Sequence, residues 1–264
     1  MKKNVDDKHK VKKTGTIRDT VSTLLWSIGI AVVIRIFAFD PFFVPSGSMI
    51  KTLLPGDRMI ATKWSYGYST HSSPFGLPIK NKIFKQDPRY GDVVIFKLIN
   101  DKSTFYVKRV IGKPGDKVQI INDNVHINGV SLKTKVVKKI TKLEYDKISN
   151  QKHYDYFASK DSEFEITKEY TIDGKRSYTV INSVEKDIHS NTKEFHVPKG
   201  HYFVMGDNRS DSLDSRFSDI GYIDENAIIA KPVIIMFSTE GSMIDAVLHP
   251  STIRFNRFLK QLNK

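Results

Sequence analysis

The feature that most limits what this chain can become is the run "VSTLLWSIGIAVVIRIFAF", Val21 to Phe39, nineteen residues with a single charge at Arg35. At about 1.5 Å per residue, a helix of that length is close to the ~30 Å thickness of a bilayer's hydrocarbon. Arg35 falls about one turn from the outer end, where its long side chain can snorkel to the interface. Residues 1–19 carry seven Lys or Arg and no long apolar run. That asymmetry puts the N-terminus in the cytoplasm and everything after Phe39 outside. A cleaved secretory signal has the same charge order, but its apolar core is shorter, about 7–15 residues, and ends in a small-x-small site. Bulky "FAFDPFF" stands there instead. The expectation is a basic cytoplasmic tail over 1–20 and an uncleaved anchor over 21–39, single-pass in the inner (cytoplasmic) membrane, with the body on the outer, periplasmic side.

Past residue 40 the texture changes to short β-type runs bounded by Gly, Pro, Asn and Asp, with no second spanning run and no internal repeat. Strands are predicted in "RMIATKW", "DVVIFKLI", "TFYVKRVIG", "KVQII" and "NVHI". Asn128-Gly129 and Asp173-Gly174 each mark a hairpin. Between residues 131 and 194 the chain turns rich in Lys, Asp and Tyr, and strand-like apolar residues resume at "FHVPKGHYFVMGDNR". A structureless loop of that length is unusual in a compact domain. The prediction is therefore a mainly β body over 40–130 and 195–264, with an inserted subdomain over 131–194 that has its own hairpin.

The chain has no cysteine, so disulfides, thiolate nucleophiles and Cys-bound zinc are excluded. The eight histidines are scattered without metal-type pairs, and a calcium loop starting at Asp207 needs an oxygen ligand two residues on, where Arg209 stands, and a glutamate eleven on, where Ser218 stands. No metal and no cofactor are expected. Lys plus Arg exceed Asp plus Glu by 42 to 29, a formal charge of +13 that suits a nucleic acid, an anionic lipid surface or an acidic partner.

Three stretches hold the candidate chemistry: "PSGSM" at 45–49, "YVKRVIGKPGD" at 106–116 and "GDNRSDSLDSR" at 206–216. Ser46 and Ser48 flank a glycine just past Pro45, which reads either as an ordinary turn or as a nucleophile beside a hydrogen-bond donor. The hydrolase elbow Gly-x-Ser-x-Gly is absent, because Ser46 and Ile50 occupy its glycine positions. Lys108 lies in an apolar strand and either snorkels out beside Arg109 or faces inward, where lost hydration lowers its pKa. The third stretch is turn-rich and reads, alone, as an acidic loop tied down by its own arginines.

Taken together and in order, these stretches resemble the bacterial type I signal peptidases, membrane-bound serine proteases with a Ser-Lys dyad. The order is a basic tail, an anchor, "PSGSM", Gly56-Asp57 before a strand, "GDVVIF", "YVKRVIGKPGD", a variable insertion, then "GHYFVMGDNRSDSLDSR". The resemblance covers most of the chain and is weak over 131–194. It implies a signal-peptidase or self-cleaving-repressor-like β body with an inserted second β subdomain, behind one transmembrane helix. It implies that Ser48 is the nucleophile and Lys108 the general base. The Ser46 hydroxyl and the Ser48 backbone N–H would form the oxyanion hole, and Ser212 would orient the lysine amine. Arg109, Asp207, Asp214 and Arg216 match positions that brace the site. Phe42, Val44, Met49, Leu53, Tyr106 and Val107 match positions that line the pockets for small substrate residues.

The implied reaction is removal of signal peptides from secretory preproteins after small-x-small (Ala-x-Ala-like) sequences, with lipid as the other partner and no nucleic acid. One position departs from the family pattern: Lys51 stands where a proline is usual, which bears on the rigidity of the turn. Two other readings are a self-cleaving repressor, which is soluble with a DNA-binding N-terminus, and a membrane-tethered basic β domain that binds lipid or a protein partner without catalysis.

Overall fold

The computed structural model describes residues 17–72, 79, 82–98, 101, 103–149, 162–186 and 188–262. Most of the expected basic tail and residues 150–161 of the expected insertion lie outside the described residues.

The first element, α1 (Ile17–Phe37), is a 21-residue helix, about 32 Å long. Consecutive Leu24, Leu25 and Trp26, and then Ile28, are all exposed, so its apolar surface runs right round the axis. A helix with no polar face belongs in a hydrocarbon or in a core. The Thr23 and Ser27 hydroxyls donate back to the Asp19 and Thr23 carbonyls at 2.8 Å, leaving few polar groups to hydrate. The apolar run was expected to remain helical to Phe39, but the helix ends two residues earlier. Pro41 pushes Asp40 out of helical geometry, and Phe39 already opens a strand.

That strand is β1 (Phe39–Phe43), followed by β2 (Asp57–Thr62), β3 (Val93–Phe96) and β4 (Tyr106–Gly112). Next come β5 (Lys117–Ile121), β6 (Asn124–Ile127) and β7 (Val130–Ser131), then β8 (Thr134–Thr141), α2 (Lys142–Ser149), β9 (Glu163–Tyr170) and β10 (Ser177–Ser183). The chain closes with β11 (Phe195–His196), β12 (His201–Met205), β13 (Ile223–Asp224), β14 (Ile228–Ser238), α3 (Met243–Leu248) and β15 (Lys260–Gln261).

The main sheet runs β1-β2-β14-β3-β4-β12-β13, with β15 also on β14, and its pairs are antiparallel. β14 pairs with β3 through Ile228 and Ala230 and with β2 from Lys231 onward, with register shifts around Pro232 and Ile235. Such bulges bend a strand, and here they curl the sheet. All four residues of β3 are buried: Val93 and Ile95 face one apolar cluster, Val94 and Phe96 another. That explains the unbroken apolar run in "GDVVIF", since a strand covered on both faces shows no alternation.

Asn128 and Gly129, at φ 53° and 80°, turn β6 into β7 as the Asn-Gly pair predicts. β9 and β10 pair across Asp173-Gly174, and with β8 they form a separate three-stranded sheet, order β10-β9-β8. β7 pairs with β6 in the sheet of β5 and β11, so the start of the expected 131–194 segment belongs to that neighbouring sheet.

Candidate active site

Ser48 sits in the turn that connects β1 to β2. The ladder continues one step past β1, with Val44 N–H donating to Asp57 O and Gly56 N–H to Val44 O, both at 2.9 Å. The chain then coils tightly: Ile50 N–H donates to Gly47 O, and Thr52 and Leu53 N–H both donate to Met49 O. Apolar anchors hold this coil on two sides. Met49 and Leu53 are buried with Phe42 and Val44 in the core beneath the sheet. Ile50 is buried with Ile140, Tyr145, Phe164 and Ile181 of the inserted sheet and its helix. Pinned between two cores, the turn leaves Ser48 half-buried and Ser46 exposed. Among the described residues the Ser48 N–H and the Ser46 hydroxyl have no hydrogen-bond partner, so both are open to an acceptor.

Lys108 lies mid-strand in β4, between β3 and β12, and is only 4% exposed. Its Nζ is 2.6 Å from Ser48 Oγ. As an ammonium it donates to that hydroxyl; as a neutral amine it accepts the hydroxyl's proton across the same contact. Burial pushes the lysine pKa down from 10.5 to about 8, against the pull of Asp214, Asp211 and Asp207, while Arg216 adds to the lowering. The sequence left snorkelling open for this residue, and the fold turns it inward.

The loop from Gly206 to Arg216 is stapled onto the serine turn. Asn208 N–H donates to Ser48 O at 3.0 Å, and its Nδ2 donates to Gly47 O at 3.1 Å and to the Tyr145 hydroxyl at 2.8 Å. A Cβ on Gly206 would lie 2.2 Å from Ser212 Oγ and 2.5 Å from Ser48 O, so only glycine allows the loop to approach this closely.

Three buried ion pairs brace the loop. Arg109 grips Asp207 with Nε and Nη2, at 2.7 and 2.5 Å, and Asp207 also accepts from the Thr52 hydroxyl. Arg216 grips Asp214 at 2.8 and 3.0 Å, while Gly206 N–H donates to the same carboxylate. Burial alone would raise the Asp214 pKa. The Arg216 charge and hydrogen bonds, with Gly206 and Lys108, outweigh it and hold the carboxyl below its ordinary value. The third pair, Arg209 with Glu169 at 2.6 and 2.9 Å, ties the loop to β9.

Expected positions thus divide. Ser48, Lys108, Arg109, Asp207, Asp214 and Arg216 converge. Ser212 is beside them, but among the described residues its buried hydroxyl has no hydrogen-bond partner, so the expected bond to Lys108 is not made in this geometry. Of the six expected pocket positions, Phe42, Val44, Met49, Leu53 and Val107 share one apolar cluster. Tyr106 is the exception: it stacks on Phe96, ring centroids 5.7 Å apart, in the cluster on the opposite face. Strand alternation puts it on the other side of β4 from Val107, the side that Lys108 also takes.

Sequence reasoning also missed contributors. Thr52 and Asn208 lie inside stretches already singled out and differ from turn residues only by their partners. Tyr145, Glu169 and Ile181 come from the insertion, where no motif marks them, yet Ile181 N–H donates to Asp207 O and Ser183 N–H to Ser210 Oγ. The insertion is the backing of the serine turn.

Comparison with known proteins places this site in context. A family profile described as "Signal peptidase, peptidase S26" matches residues 17–237. Signal peptidase I of Rickettsia typhi is 37% identical over 232 residues, covering 87% of this chain and 83% of that one. The Rickettsia akari protein of the same name is 38% identical over 216 residues, 81% of this chain and 77% of that one. A crystal structure of a signal peptidase I from Enterococcus faecalis aligns with 55% of this chain and 97% of its own, at 25% identity and a TM-score of 0.30.

Proposed function

The chain belongs to the signal peptidase family, peptidase S26, and on that premise we propose that Ser48 and Lys108 form the dyad that removes signal peptides from exported preproteins. The observation that carries this reading is the 2.6 Å contact between Lys108 Nζ and Ser48 Oγ, made by an amine whose burial favours its neutral form. Neutral Lys108 takes the Ser48 proton as Oγ attacks the substrate carbonyl. The oxyanion that forms receives the Ser48 N–H and the Ser46 hydroxyl. Collapse breaks the C–N bond, and the Lys108 ammonium protonates the leaving amine, which becomes the N-terminus of the mature protein. Lys108 then deprotonates a water that attacks the Ser48 ester, releasing the signal peptide as a carboxylic acid and restoring the serine.

Small-x-small specificity follows from the neighbourhood of the serine. The residues proposed to shape the approach are Phe42, Val44, Met49, Leu53 and Val107, which pack in one apolar cluster around the serine turn. Arg109, Asp207, Asp214 and Arg216 hold the loop that carries Ser212. The 131–194 segment supplies no reacting group and backs the turn.

α1 is the membrane anchor, with the N-terminus in the cytoplasm and the body on the outer face of the inner membrane, because seven basic residues precede the apolar run. Lipid is the other partner. Exposed Phe39 and Trp64 pack edge-on where the helix meets the body, as aromatic side chains do at headgroup level. The test is cleavage of a preprotein with an Ala-x-Ala site in lipid vesicles by wild type, Ser48→Ala and Lys108→Arg. Cleavage after the second Ala by wild type, with both variants folded and inert, is expected. Cutting by the variants overturns the dyad, and an inert wild type leaves the non-catalytic tethered domain as the better account.

A further inference from the structure

The end of α1 is not a loose tether. The last four carbonyls of a helix have no partner within it. Here the catalytic body supplies partners: Lys63 Nζ donates to Arg35 O at 3.0 Å and the Tyr68 hydroxyl to Phe37 O at 2.6 Å. Lys63 follows β2 directly and its side chain is 1% exposed. The same ammonium pairs with Asp40 at 3.0 Å, and Arg35 reaches the other oxygen of that carboxylate at 3.7 Å. Backbone bonds close the corner, Ala38 N–H to Ile34 O and Lys63 N–H to Ala38 O. Phe37 packs edge-on to Tyr68 and Phe39 to Trp64, at 6.0 and 4.9 Å. A buried cation on the carbonyl end of a helix is also favoured by the helix dipole.

The geometry links this corner to the site. Only Ala38 separates α1 from β1, and β1 pairs with β2 from Phe39↔Thr62 to Phe43↔Arg58. One end of that ribbon is the Lys63 corner and the other leads into Val44 and the Ser48 turn. Five strand residues span about 16 Å. A change of about 20° at the corner therefore displaces the far end by roughly 5 Å, or one to two residues of extended substrate.

We propose that Lys63 is a positioning residue that fixes the angle between α1 and the catalytic body, and so sets the height above the membrane at which a membrane-lodged signal peptide is cut. The inference rests on the peptidase and anchor readings above. It makes bond selection along the substrate depend on a residue at the far end of the β1–β2 ribbon. Asp40 and Tyr68 are its working partners.

The test uses the full chain in lipid vesicles and a precursor with two Ala-x-Ala sites, two residues apart, after one apolar segment. Wild type is expected to favour one site. Lys63→Ala is expected to raise the share cut at the other site on the order of tenfold, the scale of a lost charge-assisted hydrogen bond. Tyr68→Phe, which removes one partly exposed hydroxyl, shifts it in the same direction by less, and Lys63→Arg restores the wild-type ratio. On a short soluble peptide with one site, kcat/KM of Lys63→Ala stays within about twofold of wild type, because no membrane sets the register. An unchanged site ratio in both Lys63→Ala and Tyr68→Phe overturns the proposal. So does a parallel loss on both substrates with the ratio intact, which is the mark of a purely structural role. A wild type that cuts neither substrate refutes the underlying peptidase reading instead.

Discussion

Replacing Lys108 by methionine keeps an unbranched chain of similar length and removes the ionisable amine. The folded protein holds this lysine's pKa near 8 against an ordinary 10.5, chiefly by burying it. That displacement corresponds to about 3 kcal/mol spent on keeping the ammonium out of water. The unfolded chain keeps the proton up to about 10.5, whereas the folded chain releases it near 8. Between those values the unfolded state binds more protons, so this group makes wild-type stability rise with pH through the window. Below pH 8 the whole cost is present.

Lys108→Met lacks that dependence. It is expected to be inert as a peptidase and more stable than wild type by about 3 kcal/mol at pH 7, and this pH-dependent part of the advantage vanishes by about pH 10.5. Urea unfolding of both proteins in the same mild detergent, from pH 6.5 to 10.5, measures the difference and cancels groups common to both. Wild-type cleavage of a precursor is expected to reach half its maximum near pH 8, rising with pH as the amine becomes neutral. A stability difference that stays flat with pH, together with a rate midpoint near 10.5, refutes the argument that burial converts Lys108 into a base.

Ser46→Ala removes one of the two donors proposed for the oxyanion and is expected to lower kcat by about 10²- to 10³-fold with little change in KM, read from steady-state cleavage. Glu169→Gln leaves the Arg209 guanidinium buried with an uncharged partner, which is expected to cost up to about 3–5 kcal/mol in denaturant unfolding and to slow cleavage by loosening the loop over Ser48. Lys51 has φ 80°, a conformation that suits glycine and that proline cannot reach. Lys51→Gly is therefore expected to stabilise the protein by about 0.5–1 kcal/mol, and Lys51→Pro to destabilise it and slow cleavage, measured by thermal unfolding and precursor processing.

Lys51 also shows how a departure from a family pattern resolves. The missing proline raised a question about the rigidity of the turn. The fold holds the turn through Met49, Ile50 and Leu53 in two cores and through Thr52 on Asp207, with Lys51 itself left in the left-handed region.

What the sequence determined by itself is whatever a few neighbouring residues can encode. A nineteen-residue, mostly apolar stretch with one charge suits a helix in a hydrocarbon, Asn128-Gly129 demands a tight turn, and unbroken "VVIF" demands a strand covered on both faces. The order of "PSGSM", "YVKRVIGKPGD" and "GDNRSDSLDSR" carried the candidate chemistry through resemblance to a family. Tertiary structure decided the rest, because charge state, burial and hydrogen-bond satisfaction depend on atoms from distant parts of the chain. The base role proposed for Lys108 depends on the sheet burying it beside a serine sixty positions away. Ser212 and Tyr106 were in the pattern, yet among the described residues the Ser212 hydroxyl has no hydrogen-bond partner, and Tyr106 packs in a different cluster from the other five pocket positions. Glu169, Tyr145 and Lys63 belong to no motif. They matter because folding brings a buried arginine, an asparagine side chain and the open end of a helix to meet them, and a partner that far along the chain leaves no periodicity or spacing to read.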